Sequence, residues 1–167
     1  MHHTLVALVE DKPGVLNRVA SLFRRRAFNI ESLAVGRTSE PGISRMTIVI
    51  DSDQASAERV IAYLYKLVNV IHIEDLGAVS AVSRELLLVK VRADGDARAA
   101  LTALAAEGGA TVVDEGPATL TLEVAGDPAH IASVLGRIEP FGVIAVSRTG
   151  QIAMRRGDTA MTAAQFA

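Results

Sequence analysis

Asp11-Lys12-Pro13-Gly14 stands between an apolar run and an amphipathic segment, and Asn29-Ile30 follows that segment. Gly14 has no Cβ, so a ligand can approach the backbone closely and the chain can take an unusual φ. Pro13 stiffens the approach and has no N–H to satisfy. The amides of Val15 and Leu16 open the predicted helix; they lack intrahelical partners and can hold a carboxylate. Asp11 can receive an ammonium group, and the Asn29 side chain offers both donors and an acceptor. Val15, Ile30 and Leu33 would supply an apolar wall for a branched aliphatic side chain. Such a corner suits the two charged ends of a free amino acid. The plainer alternative is an ordinary Asp-Lys-Pro-Gly turn with Asp11 capping the helix. Asn29-Ile30, just beyond the first helix of a repeated unit, favours the ligand site.

The elements that must position these residues repeat themselves along the chain. A strand pattern over 5–9 leads into a helix with Val15, Leu16, Val19, Ala20 and Phe23 on one stripe. Arg24, Arg25 and Arg26 crowd its last turn, where cations complement the helix dipole. A second strand covers 30–35, and the loop 36–42, with Pro41 and two glycines, signals a hairpin. A buried strand at 46–50, a helix over 54–66 and a strand at 70–76 complete a βαββαβ unit. Val60, Ile61, Leu64 and Leu67 face inward on that second helix.

The second half repeats the order. A strand at 86–91 precedes a helix over 96–107 carrying Ala100, Leu101 and Leu104, which Gly108-Gly109 stops. Strands at 111–114 and 119–124 flank a Gly116-Pro117 turn. A helix over 128–138 starts after Asp127, an N-cap with Pro128 at the first helical position, and a strand follows at 143–147. The fold class is α+β, two tandem ferredoxin-like domains over 1–79 and 84–158, with 159–167 a flexible tail. With both helices on one face of each sheet, the other face and the edges need covering by another copy or another protein.

Composition excludes several functions. Half of the 167 residues are hydrophobic and 22% are charged, enough to bury a core. The net charge of −2 gives no global pull toward nucleic acid or anionic membrane. There is no cysteine, which excludes disulfides and thiolate metal sites and fits a reducing, cytoplasmic setting. No apolar run is long enough for a membrane span, and MHHTLVALVEDK lacks the basic start of a signal peptide. His2, His3, His72 and His130 stand at no metal-ligand spacing. The serines form no nucleophile elbow, and Gly108-Gly109 is a helix stop rather than a phosphate cradle. Arg24–Arg26 read as a solvated helix end rather than a nucleic-acid patch, and Arg155-Arg156 as a partner contact or a tail.

The corner resembles the ligand loop of the ACT domain, a small amino-acid-sensing module. FNIESLAVGRTSEPGISRMTIVI, KLVNVIHIEDL, SRELLLVKV and RTGQIAMRRGD are similar to the matching blocks of acetohydroxyacid synthase (acetolactate synthase) small regulatory subunits. That resemblance implies an N-terminal ACT domain that pairs with its twin. It implies valine, or another branched-chain amino acid, held by Asp11, Pro13, Gly14, Val15 and Leu16 of one copy and by Asn29 and Ile30 of the other. It also implies a catalytic large subunit that carries thiamine diphosphate, Mg and FAD, while this chain holds no catalytic residue, metal or cofactor. The subunit would activate its partner and relay feedback inhibition in branched-chain amino-acid biosynthesis. The alternative is a free-standing ACT sensor acting on another enzyme or on transcription, for which a DNA-reading element or basic face is expected. A small ferredoxin-like phosphatase would need an arginine where Asp11-Lys12 stands.

Overall fold

The computed structural model describes residues 2–51, 53–77 and 79–166. The chain divides into two compact units, Met1–Val82 together with Gln151–Ala167, and Ser83–Gly150. Unit 1 runs β1 (His2–Glu10), α1 (Val15–Arg25), β2 (Ser32–Arg37), β3 (Ile43–Asp51), α2 (Gln54–Leu64) and β4 (Val70–Asp75). Its sheet has the order β2-β3-β1-β4, with every neighbouring pair antiparallel. This is the expected βαββαβ unit.

Period-two alternation builds the core. Leu5, Ala7 and Val9 of β1 share a face with Met46 and Ile48 of β3, which stand directly opposite Ala7 and Leu5. Val15, Val19, Leu22 and Phe23 of α1 and Val60 and Leu64 of α2 close over that face. The stripe on α1 differs from the expected one: Leu22 is buried, while Leu16 is 45% exposed and Ala20 also faces outward. Successive helical residues point about 100° apart, so a narrow stripe through Val15 and Val19 turns Leu16 away. Arg24 and Arg25 end the helix, and Arg26 lies 4.1 Å over the Tyr63 ring.

Unit 2 follows the same order. It comprises β5 (Ala81–Arg92), α3 (Asp96–Glu107), β6 (Ala110–Glu115), β7 (Thr119–Gly126), α4 (Pro128–Ile138) and β8 (Val143–Arg148). The first two residues of β5 belong to unit 1. The strand order is β6-β7-β5-β8, and Leu87, Val89, Val91, Leu101, Leu122, Val124 and Ile131 sit in its core. Asp127 caps α4 by accepting from the His130 amide at 2.8 Å, with Pro128 at the first helical position. On α3, Ala100 is exposed and Ala105 takes the buried place beside Leu101.

The residues from Gln151 onward depart from the domain limits drawn on the sequence, because they pack into unit 1 rather than extending the second repeat or forming a free tail. β9 (Ile152–Arg155) and the turn after it reach the sheet face opposite the helices. There Ala153 joins Val6 and Leu76 in a small apolar cluster that Val79, Ala81 and Met161 extend. Polar contacts fix the segment. Gln151 donates to the Ser32 hydroxyl at 2.9 Å and to the Thr4 hydroxyl at 3.2 Å. Arg45 donates to the Ala153 carbonyl at 3.0 Å, and Arg155 pairs with Glu74 at 3.0 Å. Arg156 bonds the Ser80 and Ala81 carbonyls, so neither arginine is left to a tail. The Glu40 carboxylate accepts from the Ala163 and Ala164 amides, and the Phe166 ring stacks on His72 at 3.7 Å. Part of the cover expected from another molecule therefore comes from the chain itself. Among the described residues, no helix is long and apolar enough to cross a membrane.

Candidate functional site

The corner between β1 and α1 is held by its backbone on both sides. The Asp11 amide donates to the Gly42 carbonyl at 2.7 Å, tying the corner to the β2–β3 hairpin. The Lys12 amide turns back onto the Glu10 carbonyl at 3.0 Å. Gly14 is the N-cap of α1 at φ 85°, ψ −6°, the left-handed region that a side chain resists. Open space lies where a Gly14 Cβ would point.

No side chain caps α1. The Val15 amide is turned onto the Lys12 carbonyl at 3.3 Å. Among the described residues, no acceptor is bonded to the Leu16 or Asn17 amide. The free donors at the helix start therefore lie one residue later than expected. The negative ends of ligands favour such a position, because the helix dipole adds to the unpaired N–H groups.

Asp11 is not a helix cap. Its Oδ2 accepts from Arg37 Nε at 3.0 Å, and the pair is open to solvent. Arg37 ends β2, and the sheet register aligns it with Ser44 and Val9, level with the corner. Sequence reading left 36–42 as a hairpin loop and missed Arg37. A cation closing a strand parallel to β1 was the signal that could have found it.

Around the corner, Glu10 accepts from Lys12 Nζ at 2.9 Å and from Asn69 Nδ2 at 2.5 Å. The Lys12 ammonium, then the Asn69 amide, hold the Glu10 carboxyl below its ordinary range. Arg18 of α1 donates to Asn69 Oδ1 at 2.7 Å, so the corner, the helix and the α2–β4 turn are linked.

The remaining expected site residues divide between two places. Pro13 is exposed at the corner and Val15 is 4% exposed, turned into the core rather than toward a ligand. Leu16 is the exposed aliphatic group there. Asn29 is exposed, and Ile30 and Leu33 lean on the edge of the core. Asn29 and Ile30 precede β2, whose first residue, Ser32, is level with Val49 and Thr4. They therefore lie at the end of the sheet where β1 begins, and the corner lies where β1 finishes. Six steps of about 3.4 Å separate the two levels, roughly 20 Å. One copy of the chain does not bring them together. Among the described residues, no group of three or more His, Asp or Glu side chains is placed to hold a metal ion.

Comparison with known proteins places the family. Residues 5–72 match a family described as the AHAS small subunit-like ACT domain, and residues 84–157 match one described as the small subunit of acetolactate synthase. An acetolactate synthase small subunit of Mycolicibacterium smegmatis is 44% identical over 163 residues, 98% of this chain and 96% of that protein. A probable acetolactate synthase small subunit of Archaeoglobus fulgidus is 42% identical over 158 residues, 95% of this chain and 99% of that protein. The crystal structure of the acetolactate synthase small subunit from Thermotoga maritima superposes with a TM-score of 0.87 at 31% identity, covering 95% of this chain and 99% of that one. With an ACT unit over its first half and the matching second unit behind it, this chain belongs to the acetolactate synthase small-subunit family.

Proposed function

We propose that this chain is the valine-sensing regulatory subunit of an acetolactate synthase, binding the branched-chain amino acid between two copies of unit 1. The observation that carries the reading is the separation of the site residues along the sheet. β2 is an edge strand of six residues in unbroken register with β3, and Val35, Gly36 and Arg37 are exposed along it. An edge of this kind invites a second strand. Antiparallel pairing of β2 with its twin about a two-fold axis sets the start of one strand beside the end of the other. Asn29 and Ile30 of one copy then face the Asp11–Leu16 corner of its partner, which is where a ligand needs them.

Asp11 would take the ammonium group, the free amides of the first α1 turn would meet the carboxylate, and Leu16 and Ile30 would flank the aliphatic side chain. Binding would bias one arrangement of the paired units and relay feedback to the catalytic large subunit, which the small subunit otherwise activates. A coupling of about 1–3 kcal/mol is enough for roughly 5–150-fold control. Affinity between about 1 mM and 1 μM suits a sensor of a metabolite pool. Thiamine diphosphate, Mg and FAD belong to the catalytic partner in this reading. The absence of cysteine supports a cytoplasmic setting.

The test is calorimetry of the purified chain with valine, leucine and isoleucine, followed by complementation. Gly14→Asp breaks the corner and Asn29→Ala breaks the opposite stretch, so each variant alone loses binding. Mixing the two restores about one site in four under random subunit exchange, because each mixed dimer has one intact site. Mixtures that stay silent while the unaltered chain binds would show that the site is not shared between copies.

A further inference from the structure

We infer that Arg37 is the side chain that takes the carboxylate end of the amino acid, with Asp11 taking the ammonium end. The inference rests on the proposed site and adds a residue that sequence matching did not assign. Its ground is the ion pair already present at the corner, Arg37 Nε to Asp11 Oδ2 at 3.0 Å. The Arg37 side chain is 85% exposed and that of Asp11 37%, so the contact is weakly held and easily opened. Only one of the five guanidinium N–H donors is used by Asp11. Among the described residues, no other acceptor is bonded to the rest.

A free α-amino acid carries its two charges on one carbon, with spacing suited to insertion into such a pair. Insertion replaces one exposed ion pair by two, ammonium on Asp11 and carboxylate on the guanidinium fork, whose planar geometry matches carboxylate oxygens. The fork would approach from β2 while the Leu16 and Asn17 amides approach from α1, and beyond its chain neighbours no atom lies within 4 Å of where a Gly14 Cβ would stand. Arg37 also answers a problem that Asp11 creates. An uncompensated carboxylate at this position would repel the ligand's own carboxylate. A site made of one anion and one cation demands both ends of the ligand, so it rejects an amine lacking the acid and a 2-oxo acid lacking the ammonium.

Calorimetry with valine and with valinamide, which keeps the ammonium and has no carboxylate, tests the assignment on the full-length chain. Arg37→Gln is expected to weaken valine by about tenfold or more and to leave the weak valinamide affinity within about twofold. Arg37→Lys, which keeps the charge and loses the fork, falls between. Matching denaturant midpoints and dimer fractions across the three proteins exclude a folding defect. If Arg37→Gln binds valine as well as the unaltered chain, the inference falls and the proposed site stands. If it binds valine more tightly, Arg37 is a counterion that the ligand must displace, and the inference again falls. An unaltered chain that binds none of the three amino acids overturns the proposed site and this inference together.

Discussion

In unit 1 the first strand reaches the first helix through Asp11, Lys12, Pro13 and Gly14; in unit 2 the same passage runs through Ala93, Asp94 and Gly95. Both helices start at a glycine of positive φ, 85° at Gly14 and 52° at Gly95, and neither has a side-chain cap. The surroundings then diverge. The last residue of the second strand is Arg37 in unit 1 and Glu115 in unit 2, at equivalent register positions. Asp96 stands in the first turn of α3, where α1 has no acidic residue. The unit 1 corner pairs Asp11 with Arg37, whereas the unit 2 corner carries Asp94, Asp96 and Glu115 beside Arg92 and has no such cation closing its second strand. Arg98 answers part of that charge, pairing with Glu115 at 3.3 Å.

The edges differ in the same direction. β2 keeps its register with β3 throughout, while β6 shifts register against β7 between Val112 and Asp114. A bulge bends and twists an edge and spoils it for pairing. Six residues, including Asn29 and Ile30, join α1 to β2, whereas only Gly108 and Gly109 join α3 to β6. The two units share the core and the topology. The Asp11–Arg37 pair, the six-residue connection and the edge strand in unbroken register belong to unit 1 and have no counterpart among the described residues of unit 2.

The largest expected effect comes from breaking the corner itself. Gly14→Asp sets a carboxylate against the incoming carboxylate, and it is expected to weaken valine binding by about a hundredfold or more. Gly95→Asp is the matched control and should leave binding within about twofold. Space is open at both positions, so each variant is penalised by its backbone: about 1–2 kcal/mol of stability by denaturant unfolding at left-handed Gly14, and more at Gly95, whose φ 52°, ψ −127° suits glycine alone. Equal loss of binding in both variants would show that stability, not corner chemistry, controls the response.

A smaller effect separates the two edges. Val35 on β2 is 46% exposed and Val113 on β6 is 49% exposed, so the two substitutions start from similar surfaces. Val35→Lys sets like charges near the two-fold of the proposed pairing, and sedimentation should show the dimer weakened by about tenfold. Val113→Lys should change it by less than about twofold, given the bulge beside it. Dissociation by Val113→Lys alone would move the interface to unit 2.

The doubled βαββαβ pattern was legible because each buried face writes its period into the sequence. Leu5, Ala7 and Val9 alternate, Val60 and Leu64 recur at helical spacing, and Asp127-Pro128 marks the start of α4 in its own local chemistry. Helix ends at Glu107 and Ile138 were legible for the same local reason. Two features were not. β2 begins at Ser32 rather than Ile30, because the apolar Ile30 belongs to the loop and leans on the core from outside the strand. The return of Gln151–Arg155 to unit 1 depends on partners such as Thr4, Ser32 and Arg45, more than 100 positions away. A four-residue strand is too short to show a period of its own. Of the candidate site, Asp11 and Gly14 could be read from turn chemistry, whereas Arg37 emerges only once the strands are set in register.

The smallest effect concerns a second place where unit 1 carries cover that its sequence did not announce. The Phe166 ring stacks on the imidazole of His72 at 3.7 Å and 4° between planes, and Tyr65 Oη lies 3.3 Å from His72 Nδ1. Burial pushes His72 below its ordinary value of 6.5, while Glu74, itself paired to Arg155, acts in the opposite sense more weakly. A depressed folded value means that the docked turn prefers the neutral ring. Its contribution is complete above about 6.5 and is lost as pH falls through the folded value, because the undocked ring takes its proton first. Amide exchange at Ala163–Gln165, corrected for the intrinsic rate, should therefore quicken a few-fold between about pH 7 and pH 5.5, while α4 in unit 2 serves as the internal reference. Phe166→Ala should raise exchange at neutral pH and flatten the pH response. Exchange that slows on acidification would mean that the protonated ring binds Phe166 more tightly, through its charge over the π face, than burial opposes.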